Sequence, residues 1–355
     1  MSRYLLVDIG AGTMDVLFFD DETGEQYKAV VASPVIEVAK QIAASRGNIV
    51  LTGGEMGGGA VTRVLKDRAT TASVVISDSA AATLNHNMEK VASWGLQVVS
   101  EEEARRFVSD NRYTHVVLTD LNLARLQKIV SGFGVSFSFD ILAVCAQDHG
   151  VPPGGISHLD FRHNSFVDIL NKSPHPHKLL YDHQTIPLEM NRLRTILQQA
   201  LKIPAKTAYV MDSGMAAILG ATTDENAQEL DPLVVLDAAT SHTVGAVMTG
   251  GEIAGFFEYH THDITLERLE GLIRDLANGD LSHEQILAEG GHGCYLRKSV
   301  GYKNIQAIIA TGPKRDLIRA SSLPVVWGAP LGDNMMTGNA GMLAAIKSKK
   351  LLTHP

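Results

Sequence analysis

Short apolar runs alternate along the chain with longer segments in which apolar residues recur about every three or four positions, and these two patterns predict buried strands and amphipathic helices respectively. Predicted strands lie at residues 4–8, 14–19, 27–31, 48–51, 74–76, 96–99, 115–118, 139–145, 208–211, 233–237, 244–248, 253–259, 305–310 and 325–327. Predicted helices include segments after Pro34, after Ser100, after Asp120 as the capping residue, and at 85–94, 188–201, 212–221, 266–276 and 338–345. This alternation of strands and helices indicates an α/β protein.

The first two predicted strands are joined by a glycine-rich corner. The first run ends in Asp8, and the corner consists of Gly10, Ala11, Gly12 and Thr13. Backbone N–H groups on the concave side of such a bend suit phosphate oxygens, and an aspartate at the end of the strand can hold a hydrated Mg²⁺ against them. The alternative is an ordinary hairpin whose glycines relieve strain.

The same order of features occurs again in the second half of the chain. The strand at 233–237 ends in Asp237, and a small or hydroxyl corner follows at 238–243, before a hairpin and a third strand. A duplication of this kind predicts two related domains that face each other, each directing one aspartate into the cleft. Any α/β protein contains several strand–hairpin units, but that does not explain why both units place an aspartate before small residues.

Two further segments are candidates for substrate contact. Gln147-Asp148-His149-Gly150 follows the strand at 139–145, and ligands of open α/β sheets lie beyond the carboxyl ends of strands. The alternative for this segment is a solvated turn. The glycine-dense residues 52–59 are either a ligand-facing loop or a flexible strand-to-helix connection, and we favour the connection.

The histidines and cysteines give weaker signals. Residues 157–187 are irregular and rich in histidine, and His175 and His177 lie in a proline-rich loop where imidazoles are usually solvated. His260 and His262 share one face of a strand end, which suits either a metal or phosphate contact or two exposed rings. No histidine spacing supports a metal-dependent hydrolase, and Cys294 is expected to be a packed thiol.

Composition narrows the class of protein. The 355 residues are sufficient for two domains, and 45% hydrophobic with 20% charged residues is typical of a globular protein. A net charge of −8 argues against nucleic acid or an acidic membrane surface as the main partner, and no apolar run is long enough to span a bilayer. Two cysteines predict a cytoplasmic protein without a disulfide framework, and they cannot supply the three clustered thiolates of a radical-type iron–sulfur site.

Five motifs in order resemble the superfamily of actin, the heat-shock chaperone ATPases, and the sugar and acetate kinases. Residues 8–15 are similar to its first phosphate motif, and 237–243 to the second. Residues 212–220 and 338–345 are similar to its two connecting helices, and 308–316 to its adenosine motif. Within the superfamily, the chain resembles an uncharacterised family sometimes labelled as pyruvate formate-lyase activating, a label that the cysteine count contradicts.

The resemblance implies two ribonuclease-H-like (actin-like ATPase) domains, at residues 1–165 and 166–337, with a nucleotide cleft between them and the helix at 338–350 packing back on the first. It implies ATP and Mg²⁺ as cofactors, with Asp8 and Asp237 as the metal-side carboxylates. The phosphate and nucleoside contacts would come from Gly10, Gly12, Thr13, Thr240, Thr243, Thr311 and Gly312. Two departures are Ala238 and Ala239 in place of usual glycines, and Pro313, which removes a backbone donor.

The expected activity is an ATP-dependent phosphotransferase or ATPase whose substrate or protein partner is not identified. Asp148 is the candidate base for a substrate hydroxyl or water, with His149 as its neighbour or alternative, because the segment is similar to the Gln-x-His-Gly segment of sugar kinases. The alternative function is a nucleotide- or metabolite-binding regulatory protein without turnover, which Ala238 and Ala239 favour.

Overall fold

A computed structural model describes residues 2–153 and 156–353. Its strands are β1 (Arg3–Ile9), β2 (Thr13–Asp20), β3 (Gln26–Ala32), β4 (Asn48–Gly53), β5 (Val74–Ser77), β6 (Gln97–Val99), β7 (Tyr113–Leu118), β8 (Phe139–Ala146), β9 (Leu180–Tyr181), β10 (Ala205–Asp212), β11 (Leu233–Ala238), β12 (His242–Thr249), β13 (Glu252–His260), β14 (Gly293–Leu296), β15 (Ile308–Thr311) and β16 (Val325–Trp327). Its α-helices are α1 (Pro34–Ala44), α2 (Gly59–Ala69), α3 (Asp78–Ala81), α4 (Met88–Ala92), α5 (Glu101–Val108), α6 (Leu123–Gly132), α7 (His158–Lys172), α8 (Asn191–Ala200), α9 (Ser213–Ala221), α10 (Leu266–Asn278), α11 (His283–Ala288) and α12 (Thr337–Thr353).

Two six-stranded sheets share the same arrangement of five strands, and the sixth strand lies at the β10 edge of the first sheet and at the β13 edge of the second. The first has the order β3-β2-β1-β8-β10-β9, with β2 antiparallel to its neighbours and β8 and β10 parallel to β1. The second has the order β14-β13-β12-β11-β15-β16, with β12 antiparallel and β15 and β16 parallel to β11. An antiparallel three-strand meander extended by parallel strands is the ribonuclease-H-like arrangement. The predicted fold class, a pair of such α/β domains, is therefore confirmed.

A third sheet lies between β3 and β8 in the chain. Its order is β6-β5-β4-β7 and all its pairings are parallel. It has its own apolar core, in which Ile49, Leu51 and Val116 pack with residues from α1 and α2. The alternating elements at 34–118 were predicted, but their separation into a second parallel sheet was not, because strand pairing depends on contacts far apart in sequence.

The strand β11 separates two apolar cores. Leu233 and Val235 pack into the large core shared with the first sheet, whereas Val234 and Leu236 pack against α10 and its neighbours. This division follows from the two-residue side-chain period of a strand. An uninterrupted apolar sequence therefore indicates a strand that is covered on both faces.

The helices α9 and α12 cross in direct backbone contact. A Cβ atom on Gly341 would overlap the Ala216 carbonyl oxygen and lie 2.9 Å from the Gly220 nitrogen, and a Cβ on Gly220 would overlap the Thr337 carbonyl oxygen. Only glycine permits this approach, as the small-residue segment 212–221 predicted. Asn339 then fixes α12 to the first sheet, because its side-chain amide donates to the Leu6 and Asp15 carbonyl oxygens at 2.9 and 3.1 Å.

Helix ends largely follow local sequence signals. Ser100 and Glu103 form the predicted capping box of α5, and Gly279 ends α10 in the left-handed conformation. One predicted cap is wrong: Asn122, not Asp120, caps α6, because the Asp120 carboxylate is instead paired with the Arg192 guanidinium at 2.8 Å.

Two larger predictions need correction. The segment 157–187 is not irregular throughout, because Ser157 caps the helix α7, whose apolar side buries Phe166 and Leu170. The division at 165/166 does not coincide with the sheets, since β10 pairs with β8 in the first sheet as far as Asp212. The passage between the two large sheets therefore runs through α9.

Candidate functional site: a cleft between two matched corners

A cavity of about 740 Å³ lies at the carboxyl ends of β1 and β11. Asp8 and Asp237 both line it, as the internal duplication predicted. The other predicted site residues on its wall are Gly10, Thr13, Asp148, His149, Thr240 and Gly312. Of the remaining three, Gly12 lies where the two corners meet, and Thr243 and Thr311 support the wall from behind, as described below.

The two corners have the same hydrogen-bonded turn. The Gly10 N–H donates to the Thr13 carbonyl oxygen at 3.0 Å, and the Ala239 N–H donates to the His242 carbonyl oxygen at 3.1 Å. Each turn begins two residues after its aspartate. Ala239 thus replaces a glycine without changing the turn, which removes one reason to expect crowding at the second corner.

The corners touch each other across the cleft. A Cβ atom on Gly12 would lie 2.8 Å from the Thr240 hydroxyl oxygen, so a larger residue here would displace the Thr240 side chain. Thr243 lies behind the second corner, where its hydroxyl contacts the Thr261 hydroxyl at 3.1 Å and Thr261 donates to the Ala239 carbonyl oxygen at 2.8 Å. Thr243 therefore braces the corner and does not line the cavity.

Three carboxylates meet at this end of the cavity. Asp15 stands directly opposite Asp8 in the antiparallel β1–β2 register, and both lie on the cavity wall with Asp237. The second half has Val244 opposite Asp237, so only the first half carries the additional acid.

Burial makes the ionised form of each of these carboxylates unfavourable. Burial, opposed by a hydrogen bond from Cys145 and reinforced by the charge of Asp237, raises the pKa of Asp8 to about 7. Burial and the neighbouring Asp8 charge raise the pKa of Asp15 to about 8. Burial raises the pKa of Asp237 to about 6 despite its hydrogen bond from Thr311.

Equivalent neighbours support the two facing aspartates. In parallel register, Cys145 of β8 lies beside Asp8, and Thr311 of β15 lies beside Asp237. The Thr311 hydroxyl donates to Asp237 Oδ1 at 2.9 Å, and the Cys145 thiol hydrogen-bonds Asp8. Burial raises the pKa of Cys145 well above its usual value, so this thiol is a donor and not a nucleophile.

This donor set fits a hard divalent cation. Mg²⁺ prefers carboxylate and phosphate oxygens, and it would offset the mutual repulsion of Asp8, Asp15 and Asp237. Asp15 Oδ1 is buried without a hydrogen-bond partner among the described residues, which leaves an oxygen available to a cation or to its water. Gly338 leaves room for Asp8, since a Cβ at this position would overlap Asp8 Oδ2.

The predicted adenosine loop packs against the second corner. Gly312 has a φ of 86°, and a Cβ there would lie 2.5 Å from the Ala238 carbonyl oxygen. That carbonyl oxygen accepts the Lys314 N–H at 2.8 Å, and the Asn334 side chain donates to the Gly312 carbonyl oxygen at 3.1 Å. Pro313 lines the cavity beside this loop.

Another part of the cavity wall is formed by the first domain and its inserted sheet. The glycine-dense segment 52–59 contributes Glu55 through Gly59 to this wall, which favours the ligand-facing interpretation over a simple connection. Glu55 accepts hydrogen bonds from His86 at 3.0 Å and from the Asn191 side chain.

Asp148 is held rigidly in this part of the wall. Its Oδ1 accepts the Gly150 N–H at 2.8 Å, and its Oδ2 accepts the Leu193 N–H at 2.9 Å near the start of α8. Burial outweighs these bonds and raises its pKa. Each oxygen keeps a second lone pair, so the carboxylate can accept one further donor from a ligand.

A buried arginine connects the two large sheets at the cleft. Arg162 on α7 pairs with Asp212 at 2.7 Å and with Glu258 of β13 at 3.2 Å, and it donates to the Asp148 carbonyl oxygen at 2.7 Å. The Gln147 side chain also donates to Glu258. Burial and the positive charge of Arg162 lower the pKa of His149 to about 3, so this imidazole is neutral at ordinary pH.

The histidines are arranged differently from the prediction. His242, His260 and His292 converge, although they lie in separate segments and no local spacing connects them. The predicted partner of His260, His262, has an exposed side chain. His175 and His177 stack at 5.2 Å between ring centroids, and burial raises the pKa of Cys294 to about 11, as expected for a packed thiol.

Sequence reasoning missed Asp15, Cys145, Arg162 and Glu258 as site residues. Asp15 carried a usable signal, because a hairpin closed by the 10–13 turn places residues 8 and 15 opposite each other. Cys145 could have been inferred only from the β1–β8 register. Arg162 and Glu258 had no such signal, since their pairing joins α7 to β13.

Comparisons with known proteins give one family match and several structural matches. The model of the family described as "Putative pyruvate format-lyase activating enzyme (DUF1786)" matches residues 56–317. No curated protein matches the sequence significantly.

Several solved structures are similar to the chain. A Listeria monocytogenes protein titled "a putative N-acetylmannosamine kinase" is 10% identical with a TM-score of 0.38, over 98% of this chain and 99% of that one. MreB5 of Spiroplasma citri bound to ADP is 10% identical with a TM-score of 0.39, over 99% of both chains. The ethanolamine utilization protein EutJ of Carboxydothermus hydrogenoformans is 10% identical with a TM-score of 0.31, over 96% and 88%.

Proposed function

The chain belongs to the DUF1786 family, and we propose that it is an ATP- and Mg²⁺-dependent phosphotransferase or ATPase. The observation that carries this proposal is the pair of matched corners, which bring Asp8 and Asp237 to one cavity. Phosphate oxygens can approach three buried carboxylates only if a cation lies between them. Asp8, Asp15 and Asp237 would hold that cation directly or through water, and Mg²⁺ would neutralise charge on the phosphates.

The nucleotide and a second ligand would occupy different parts of the cavity. The phosphates would lie between the corners at Gly10–Thr13 and Ala239–His242, with the nucleoside toward Gly312. A small polar substrate would lie toward Glu55, Asp148 and His86, whose oxygens and nitrogens can bind hydroxyl groups.

Within this proposal, Asp148 is the candidate base and His149 its neighbour. The carboxylate is fixed by two backbone N–H groups, its pKa is raised, and a free lone pair can accept a substrate hydroxyl. His149 stays neutral and can donate or accept a hydrogen bond without adding charge.

The family description names a radical-enzyme activase, and we do not extend that activity to this chain. Such chemistry needs three clustered thiolates. The sequence has two cysteines, and they lie in β8 of the first sheet and β14 of the second.

The test is phosphate release from ATP in the presence and absence of Mg²⁺. We expect Mg²⁺-dependent release in the unaltered protein, and a loss of at least about 100-fold in Asp8→Asn and in Asp237→Asn, typical of removing one charge-stabilising group. Asp280→Asn is the matched control, because Asp280 is exposed and far in sequence from both corners. Equal rates in Asp8→Asn and Asp280→Asn would refute the assignment of Asp8.

A binding protein without turnover is the second candidate. It is favoured by the two backbone N–H groups that donate to Asp148, because these bonds stabilise the carboxylate and weaken it as a base. Thermal unfolding with ATP and Mg²⁺ distinguishes the candidates: a raised Tm without phosphate release supports the binding protein. An unchanged Tm with every nucleotide contradicts both.

A further inference from the structure

Three imidazoles converge at the margin of the cleft. His242 and His260 are cross-strand partners in β12 and β13, and His292 comes from the loop before β14. One ligand-capable atom from each lies within 4.8 Å of the other two. The ring centroids of His242 and His292 are 4.4 Å apart, and those of His260 and His292 are 4.5 Å apart.

The distance between two of the nitrogens suits a shared ion. His260 Nε2 and His292 Nε2 are 3.1 Å apart. Two imidazole nitrogens that bind one tetrahedral Zn²⁺ at about 2.0–2.1 Å are separated by roughly 3.3 Å.

The Nε2 atom of the third imidazole, His242, is available to a ligand. His242 Nε2 is buried and has no hydrogen-bond partner among the described residues. A buried polar nitrogen in this state costs free energy unless a ligand satisfies it. A metal ion would satisfy it, whereas one hydrogen bond between His260 and His292 leaves it unpaired.

The surroundings orient the ligands. His292 Nδ1 lies 3.6 Å from the Glu258 carboxylate, which is longer than a hydrogen bond, and it has no hydrogen-bond partner among the described residues. Glu258 is therefore the nearby carboxylate that could become the outer partner of a metal-bound His292. The loop is also fixed in place, because the His292 N–H donates to the Glu258 carbonyl oxygen at 2.9 Å.

We propose that His242, His260 and His292 form a binding site for a divalent transition metal of the zinc class. Three histidine nitrogens and a neutral overall ligand set suit Zn²⁺, and the hard ions Mg²⁺ and Ca²⁺ prefer oxygen. Three protein ligands leave one coordination position for water or a small ligand. His242 also lines the cleft cavity, so the site borders the space assigned to the nucleotide and its substrate.

The test measures metal binding by the full-length protein without nucleotide. After dialysis against a chelator, the protein is titrated with ZnCl₂ by calorimetry, and bound metal is measured by mass spectrometry. We expect one Zn²⁺ per chain, and binding weakened by more than about 10–100-fold in His260→Gln and in His292→Gln, since loss of only an outer partner costs that much.

The matched control is His175→Gln with His177→Gln, which alters another histidine pair outside the cluster. This variant should bind Zn²⁺ as the unaltered protein does. Circular dichroism of each variant establishes that it is folded.

A second measurement does not depend on any variant folding. Co²⁺ substituted into the unaltered protein should give the intense visible absorption of tetrahedral coordination. The proposal is overturned if this absorption is absent, if no Zn²⁺ is retained, or if folded His260→Gln binds Zn²⁺ as tightly as the control. Neither readout requires nucleotide, so failure here is distinguishable from failure of the proposed ATP site.

Discussion

The crossing of α9 and α12 gives the sharpest test of the fold. We consider Gly341→Ala, which adds one methyl group where the helices meet. The new Cβ would overlap the Ala216 carbonyl oxygen and lie 2.7 Å from its carbon, whereas ordinary contact begins at 3.4 Å. The contact with the carbon alone requires the backbones to separate by about 0.7 Å (3.4 − 2.7 Å), and the overlap with the oxygen requires a larger separation, in a region that is closely packed.

The expected cost follows from two opposing effects. Overpacking of a tight contact lowers the free energy of unfolding by about 1–3 kcal/mol. Replacement of glycine by alanine within a helix raises it by up to about 1 kcal/mol. We expect the free energy of unfolding to fall by about 1–2 kcal/mol. The matched control is Gly271→Ala in α10, where only the Arg268 side chain lies within 4 Å, at 3.8 Å, and this change should stabilise by about 0.5–1 kcal/mol.

A double substitution makes the reasoning specific to the crossing. A Cβ on Gly220 meets the same interface from the other helix, so one separation of the helices relieves both clashes. The double variant Gly220→Ala with Gly341→Ala should therefore cost less than the sum of the single variants, with a coupling of about 1 kcal/mol.

Urea unfolding followed by circular dichroism measures the unaltered protein and the four variants, which are the two single variants at the crossing, their double variant and the control. The contact geometry is refuted if Gly341→Ala is as stable as Gly271→Ala. It is also refuted if the two substitutions at the crossing add within about 0.5 kcal/mol.

Three further outcomes follow from buried polar groups. In the presence of a chelator, ionisation of Asp15 opposes folding as the pH rises from about 4 to its raised pKa of about 8. The Asp15→Asn variant should therefore have a higher unfolding free energy than the unaltered protein at pH 8.5, by up to roughly 5 kcal/mol, but not at pH 4. The same pH dependence of stability in both proteins would contradict this prediction. Arg162→Met should lower the free energy of unfolding in urea by about 3–5 kcal/mol, because it leaves two buried carboxylates unpaired. A decrease smaller than that of a variant in an exposed ion pair, such as Arg106→Met, would contradict this prediction. Asn339→Ala should lower the unfolding free energy by about 1–3 kcal/mol, and an unchanged midpoint would show that its two hydrogen bonds are dispensable.

The duplication could be predicted from the sequence because it consists of the same features in the same order along two short segments. An apolar run, an aspartate, a small corner and a hairpin occur twice, and the structure gives both copies the same turn and strand pairing. The position of Asp8 and Asp237 at one cavity follows from the symmetry of that repeat.

The parts that could not be predicted depend on pairing between distant segments. The sequence between 34 and 118 contains strand and helix signals, but nothing local shows that β4 pairs with β7 and not with β8. The histidine cluster has the same origin: His242 and His260 meet through strand register, and His292 joins them through a loop 32 residues after His260. Helix α7 was missed because its apolar residues are diluted by polar ones around Arg162, which is itself buried by pairing.

The described residues contain no helix that is long and apolar enough to cross a bilayer.

Mutations in the inserted sheet can change the wall of this cleft. Residues 34–118 have an apolar core of their own, and they line the cavity with two segments, 55–60 and 82–86, together with Val35 and Arg63. The acidic corner and the crossed helices lie outside that segment. Recombination or mutation within the insertion can therefore alter ligand preference without disturbing the duplicated framework. A library of variants confined to these two segments is the most direct way to change the selectivity of the cavity.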